Sequence, residues 1–298
     1  MKPIFNILSA GLIALFISVE VSAQSKEKVQ AKCGLLWEVS GKGMKAPSYL
    51  FGTYHLIGKN FLDTLPAIMR HFSKAQTVVG EVVMEDEMAM AQKLMPMMLL
   101  KDNSLDKILS DREFAEIDSF LKVKTSMNLS MLNGMKPAAV QIMLVAMLAP
   151  KNISPENPAL DMFFQTEAKK AGKNVVGFET AEQQGALLFN QSLSRQKDLL
   201  LKTVRENARM MRESQELFHY YKNQDLEAIE KAFSSNEDYT PEEMDAMLAQ
   251  RNKVWIKVMP EMMNKSSVFF AVGAGHLVGR EGLINSLREL GYTLKPVF

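Results

Sequence analysis

The chain contains a single cysteine, Cys33, in 298 residues. One thiol forms no internal disulfide, so stability has to come from an ordinary apolar core. Charge of one sign is equally lacking. The 35 Lys and Arg residues against 34 Asp and Glu leave a formal net charge of +1. With no aromatic-plus-basic motif either, the sequence lacks the electrostatic footprint that nucleic-acid binding needs. Beyond the N-terminus no stretch approaches ~18 uninterrupted apolar residues, so no spanning helix is expected in the mature chain, which should be soluble. The His-Glu-x-x-His helix of the common zinc proteases is missing, as is any cofactor loop. Histidine is scarce, at 4 residues, so a pattern that two of them share carries weight.

Methionine, by contrast, is abundant at 22 residues. Its flexible, polarisable side chain fills irregular cores and lines adaptable grooves. The N-terminus reads as a secretory signal. Lys2 supplies the positive end, Ile4 to Val19 is mostly apolar, and Val21-Ser22-Ala23 offers small residues for cleavage. The mature chain is expected to begin at Gln24 and to work in the periplasm or outside the cell. The competing reading, an uncleaved membrane anchor, is disfavoured because the apolar run is short and ends at Glu20.

Along the mature chain, strands alternate with helices. Leu35 to Val39 and Ser48 to Gly52 read as strands joined by a Gly-rich turn, hence a hairpin. Thr64-Leu65-Pro66 opens a helix, with Pro where its missing N–H costs nothing. Gln76 to Val82, Lys173 to Phe178 and Ser267 to Val272 read as further strands, and Tyr292 to Phe298 as a last extended piece. Glu85 to about Leu148 reads as helical, with breaks at Pro96, at Asp102-Asn103-Ser104 and at Pro137. Ser104 and Ser110 are expected N-caps, and Ser110 with Glu113 forms a capping-box pattern. Residues 181 to about 233 are helical again, and Thr240-Pro241 opens another helix reaching at least Val258. No linker divides residues 24–298. The class is α/β or mixed α+β, a central sheet with a large helical insertion.

The sequence echoes itself. Tyr49-Leu50-Phe51-Gly52-Thr53-Tyr54-His55-Leu56-Ile57-Gly58 matches Phe270-Ala271-Val272-Gly273-Ala274-Gly275-His276-Leu277-Val278-Gly279. Each copy is an apolar strand, a glycine and then a histidine, a Gly-x-x-His turn. Glycine permits sharp turns and close approach of the backbone, and the carboxyl edge of an open α/β sheet is where ligands bind. Glu81 and Glu179 stand at equivalent positions, after Thr77-Val78-Val79-Gly80 and Val175-Val176-Gly177-Phe178. If the four strands are neighbours, two imidazoles and two carboxylates meet. That donor set suits a divalent transition ion such as Mn, Co or Zn, which would activate water for hydrolysis. His71 and His219 lie in helical stretches without a partner pattern and read as structural.

Leu36-Trp37-Glu38-Val39, Gly52-Thr53-Tyr54-His55, Gly80-Glu81, Leu160-Asp161, Gly177-Phe178-Glu179-Thr180, Arg251-Asn252 and Gly273-Ala274-Gly275-His276-Leu277 follow one another in the order seen in the TraB/GumN family, which the mature chain resembles from Leu35 to about Tyr292. The paired Gly-x-x-His motifs with a glutamate are also shared with the Tiki metalloproteases. The resemblance implies a metal-dependent, peptidase-like site using His55, Glu81 and His276. It also implies a supporting role for Arg251, whose guanidinium grips carboxylates well. Asp161 reads as a helix cap. Met88, Met90, Met95, Met97 and Met98 crowd one helical stretch, a core face or else an apolar groove for an unstructured peptide or a lipidic group. The alternative function is a binding module that holds a metal or ligand without turnover.

Overall fold

The computed structural model describes residues 34–84 and 86–298. The segment read as a signal sequence and Cys33 lie outside them. Among the described residues the fold is mixed α/β, with a six-stranded mixed sheet and many helices. No helix there is long and apolar enough to cross a membrane.

The sheet runs in the order β4-β3-β5-β2-β1-β6. Its strands are β1 (Leu36–Ser40), β2 (Ser48–Thr53), β3 (Thr77–Val82), β4 (Asn174–Glu179), β5 (Val268–Gly273) and β6 (Thr293–Val297). The expected hairpin forms: β1 and β2 pair antiparallel across a turn in which Gly41, Lys42 and Gly43 all have positive φ. Two of those positions carry glycine, the residue that adopts this backbone without strain. The pairs β2–β5, β5–β3 and β3–β4 are parallel. Parallel strands need long crossovers, and these are supplied by helices.

The chain divides into two compact units. One comprises Glu85–Ala149 and Thr180–Arg212, and the other holds the sheet together with Pro150–Glu179 and Glu213–Phe298. In the sheet unit, Phe51, Phe72, Phe164 and Phe269 form a buried aromatic cluster with ring centroids 5.0 to 6.0 Å apart. A second stack runs Phe270, Phe178, Trp255, at 5.8 and 4.8 Å. In the helical unit, Glu87–Met98 packs on Ala181–Phe189. Gly185 there admits Met97 so closely that an added Cβ would sit 2.7 Å from its sulfur. Met90 and Met98 are core residues, whereas Met88 is exposed.

Several local expectations need correction. Pro96 does not break its helix, which ends two residues later at Met98; so near the end, one lost backbone bond is tolerated. Ser104 occupies the N-cap position as expected, but its hydroxyl donates to Asp106 and makes no capping bond. Asp161 is not a cap, since the N-cap position belongs to Ala159. The Ser110–Glu113 capping box is present as read.

Candidate active site

Because β2, β5, β3 and β4 are parallel neighbours, their carboxyl ends share one edge of the sheet. Thr53 is in register with Gly273, Gly80 with Ala271, and Val82 with Glu179. His55 follows β2 by two residues, and β5 runs on into the 3-10 turn Ala274–His276. Glu81 lies near the end of β3, and Glu179 closes β4. The four side chains read from the sequence therefore come from adjacent strands.

The two glycines work by close approach, since neither has positive φ. A Cβ on Gly52 would lie 3.1 Å from Ala274 and from Leu277, so the turn after β5 packs directly on β2. A Cβ on Gly273 would lie 3.1 Å from Oε1 of Glu81, and the Gly273 N–H donates to that oxygen at 2.8 Å.

Arg251, on helix Ala249–Lys265, gathers the cluster. Its Nη2 donates to Glu81 Oε2 at 2.6 Å, and Nε to Glu179 Oε1 at 2.8 Å. Nη1 donates to the Met247 carbonyl at 3.1 Å and to His276 Nε2 at 2.9 Å. The guanidinium also lies over the Trp255 ring at 4.8 Å, while the Trp255 indole N–H donates to Glu179 Oε1 at 2.9 Å. The same ring stands 4.3 Å from His276. His276 is 1% exposed, and its Nδ1 lies 2.8 Å from Oδ1 of Asn252. On the other side, His55 Nδ1 lies 2.8 Å from Asp161 Oδ2, and the Thr53 hydroxyl donates to Asp161 Oδ1 at 2.6 Å. Asp161 thus orients His55, which accounts for its buried carboxylate better than capping does.

The two imidazoles differ in charge. Burial works against a cationic His55, but Asp161 and then Glu81 outweigh it and push the group up to about 9. For His276 burial dominates, Glu81 opposes it only in part, and the group falls to about 3. Burial works against a charged Glu81 as well. Arg251 and the two histidines overcome that, so its carboxyl stays well below the usual range. Arg251 is held charged by Glu81 and Glu179 despite burial.

The donor set fits a divalent ion in kind: imidazole nitrogens and carboxylates, with each Nδ1 anchored by a further side chain, as metal-binding histidines are. In the arrangement described, however, the cation at the centre is the guanidinium. It holds Nε2 of His276, Oε2 of Glu81 and Oε1 of Glu179. Among the described residues, no three His, Cys, Asp or Glu side chains converge as a metal site. Arg251 bonds three of the four side chains expected to share an ion, Glu81, Glu179 and His276. His71 and His219 stand apart, the former bonded to the Ala67 carbonyl. Sequence reasoning missed Asn252, Trp255 and Thr53 as parts of the site. Trp255 carried a signal, since it lies one turn on from Arg251, where side chains share a face, while Asn252 and Thr53 stand inside the motifs that hold Arg251 and His55.

Comparison with known proteins adds the following. The sequence pattern of the TraB/PrgY/gumN family matches residues 35–296. Metalloprotease TIKI2 of Danio rerio is 24% identical over 311 aligned positions, covering 87% of this chain and 60% of that protein. Metalloprotease TIKI1 of Homo sapiens is 23% identical over 301, covering 84% and 59%. The chain therefore spans about three fifths of these relatives' length. No solved structure matches.

Proposed function

The chain belongs to the TraB/PrgY/gumN family, and from that premise we propose that it is an exported, metal-dependent hydrolase that cuts peptide bonds. The observation that carries this reading is the pair of histidines from neighbouring strands, each held at Nδ1 and each near the ionised Glu81. The metalloproteases it resembles support the reaction class. A divalent ion, Mn, Co or Zn, would be held by His55, His276 and Glu81 with Glu179 beside them, and would polarise a carbonyl and activate water.

The chain's own residues have separate tasks. Asp161 and Asn252 set the two imidazole rings. Arg251 keeps Glu81 ionised, and an ionised Glu81 is competent to take a proton from water at Oε1. Arg251 also competes for Nε2 of His276, so loading the site requires Nη1 to let go. Export rests on the Lys2, apolar and Val-Ser-Ala order of the N-terminus, and N-terminal sequencing from the native host should begin at Gln24.

The test is elemental analysis of the mature protein before and after chelation, paired with digestion of unstructured peptides. Cleavage that chelation abolishes and a divalent ion restores is the expected result. Failure to bind any divalent ion at micromolar concentration overturns the metal-dependent reading. Binding without turnover would instead favour a non-catalytic module. The hold of Arg251 on His276 is the feature that gives that second reading substance.

A further inference from the structure

We propose that Asn252 is the positioning residue that locks His276 as an Nδ1–H imidazole, so that Nε2 always carries the lone pair. Only the effect on turnover rests on the hydrolase reading above. The tautomer follows from an inventory of donors and acceptors.

Asn252 carries two amide hydrogens and one carbonyl oxygen. Its Nδ2 donates to the His276 carbonyl at 3.1 Å and to the Glu281 carbonyl at 2.9 Å. A flipped amide would set its oxygen against those two carbonyl oxygens and leave both without a donor. The amide orientation is therefore determined, and Oδ1 is the atom that faces His276 Nδ1 at 2.8 Å. An amide oxygen only accepts, so Nδ1 must carry the hydrogen. The opposite nitrogen gives the same answer independently. Arg251 Nη1 has hydrogens and no lone pair, so Nε2, 2.9 Å away, must accept.

Burial makes the arrangement exclusive. Asn252 is 3% and His276 1% exposed, so water cannot readily replace the amide. Trp255 lies against the imidazole, with ring centroids 4.3 Å apart. Asn252 and Arg251 are consecutive residues of one helix, so a single rigid element sets both nitrogens of His276.

The consequence is a division of labour. His276 presents Nε2 as a permanent acceptor, suited to a cation or to a proton taken from a reacting group. His55 has its Nδ1 held by a carboxylate and is the histidine that carries charge.

Histidine-labelled protein, stripped of metal, tests this by long-range proton–nitrogen NMR, which separates a protonated ring nitrogen from one with a lone pair. His71→Gln and His219→Gln assign the two outer histidines. Wild type should show His276 with Nδ1 protonated and Nε2 bare at neutral pH. A protonated Nε2 there overturns the proposal. Asn252→Ala should release the lock and give Nε2–H or mixed signals for His276, with His55 unchanged. Retention of the pure Nδ1–H form in a folded Asn252→Ala protein also overturns it, because Arg251 would then suffice. Should that variant not fold, the wild-type spectrum still decides. Where wild type cleaves a peptide, Asn252→Ala should lower kcat on the order of 10- to 100-fold, the usual effect of losing a residue that orients a ligand. A wild type with the predicted tautomer and no turnover refutes the hydrolase reading while leaving this one intact.

Discussion

Replacing Asp161 by Asn should move the titration of His55 downward by more than two pH units. The side chain is nearly isosteric and still offers an oxygen to Thr53 or to His55, so the fold should survive. What disappears is the negative charge 2.8 Å from Nδ1. Without it, burial dominates, and His55 should titrate at or below its ordinary 6.5 rather than at about 9. At about 1.4 kcal/mol per pH unit, the wild-type displacement corresponds to roughly 3 kcal/mol in favour of the charged form. Because the folded value is raised, that stabilisation is complete below pH 6.5 and is lost as pH rises through about 9. Metal-free wild type should therefore lose stability between pH 6.5 and 9, while Asp161→Asn should be nearly flat across that window and less stable at its acid end. The assay is an NMR titration of the histidine ring protons together with urea midpoints at several pH values. A His55 that titrates near 9 in the Asn variant, or near 6.5 in wild type, refutes the reasoning.

Arg251→Met should cost about 3–5 kcal/mol in urea unfolding, because it strands the buried carboxylate of Glu81 and the partly buried one of Glu179 without their cation; a loss under about 1 kcal/mol would show that the cluster relaxes or takes up protons freely. Glu81 is held below the ordinary 4.5, so its stabilisation is present above that pH and is lost as pH falls; Glu81→Gln should flatten the acid side of the stability curve. Gly52→Ala, which pushes a methyl to 3.1 Å from the backbone and side chain of Ala274, should destabilise by about 1–3 kcal/mol, read from the thermal midpoint. Gly273→Ala should displace Glu81 and weaken divalent-ion binding in calorimetry by more than it lowers the midpoint, whereas unchanged affinity would argue against Glu81 as a ligand.

Much of the strand framework was legible without coordinates. The alternation of short apolar runs with Gly-rich turns marked all six strands to within a residue or two, because strand ends coincide with local turn chemistry that does not depend on partners. Pro137 at a helix start and the Ser110–Glu113 box were similarly local. Pro96 misled for the converse reason: proline permits a break, and so near the helix end the surrounding contacts chose otherwise.

By itself, the sequence set His55, Glu81, Glu179 and His276 at or just past strand ends. The repeated Gly-x-x-His, in a chain with so few histidines, is a property of covalent order. It could not determine what those residues bond. Strand order is set by which apolar faces bury together, and only the arrangement β4-β3-β5-β2 sets the two glutamates side by side and the two histidines side by side. Only packing brings helix Ala249–Lys265 against them, so that Arg251 bonds Glu81, Glu179 and His276 together. Asp161 and Asn252 look alike in sequence as small polar residues, yet Asp161 brings His55 a charge that raises it, whereas Asn252 brings His276 none and burial keeps that ring neutral. That difference arises because a buried imidazole stays neutral unless a charged group faces it. The facing group is fixed by tertiary contacts between residues 106 and 24 positions apart in the chain.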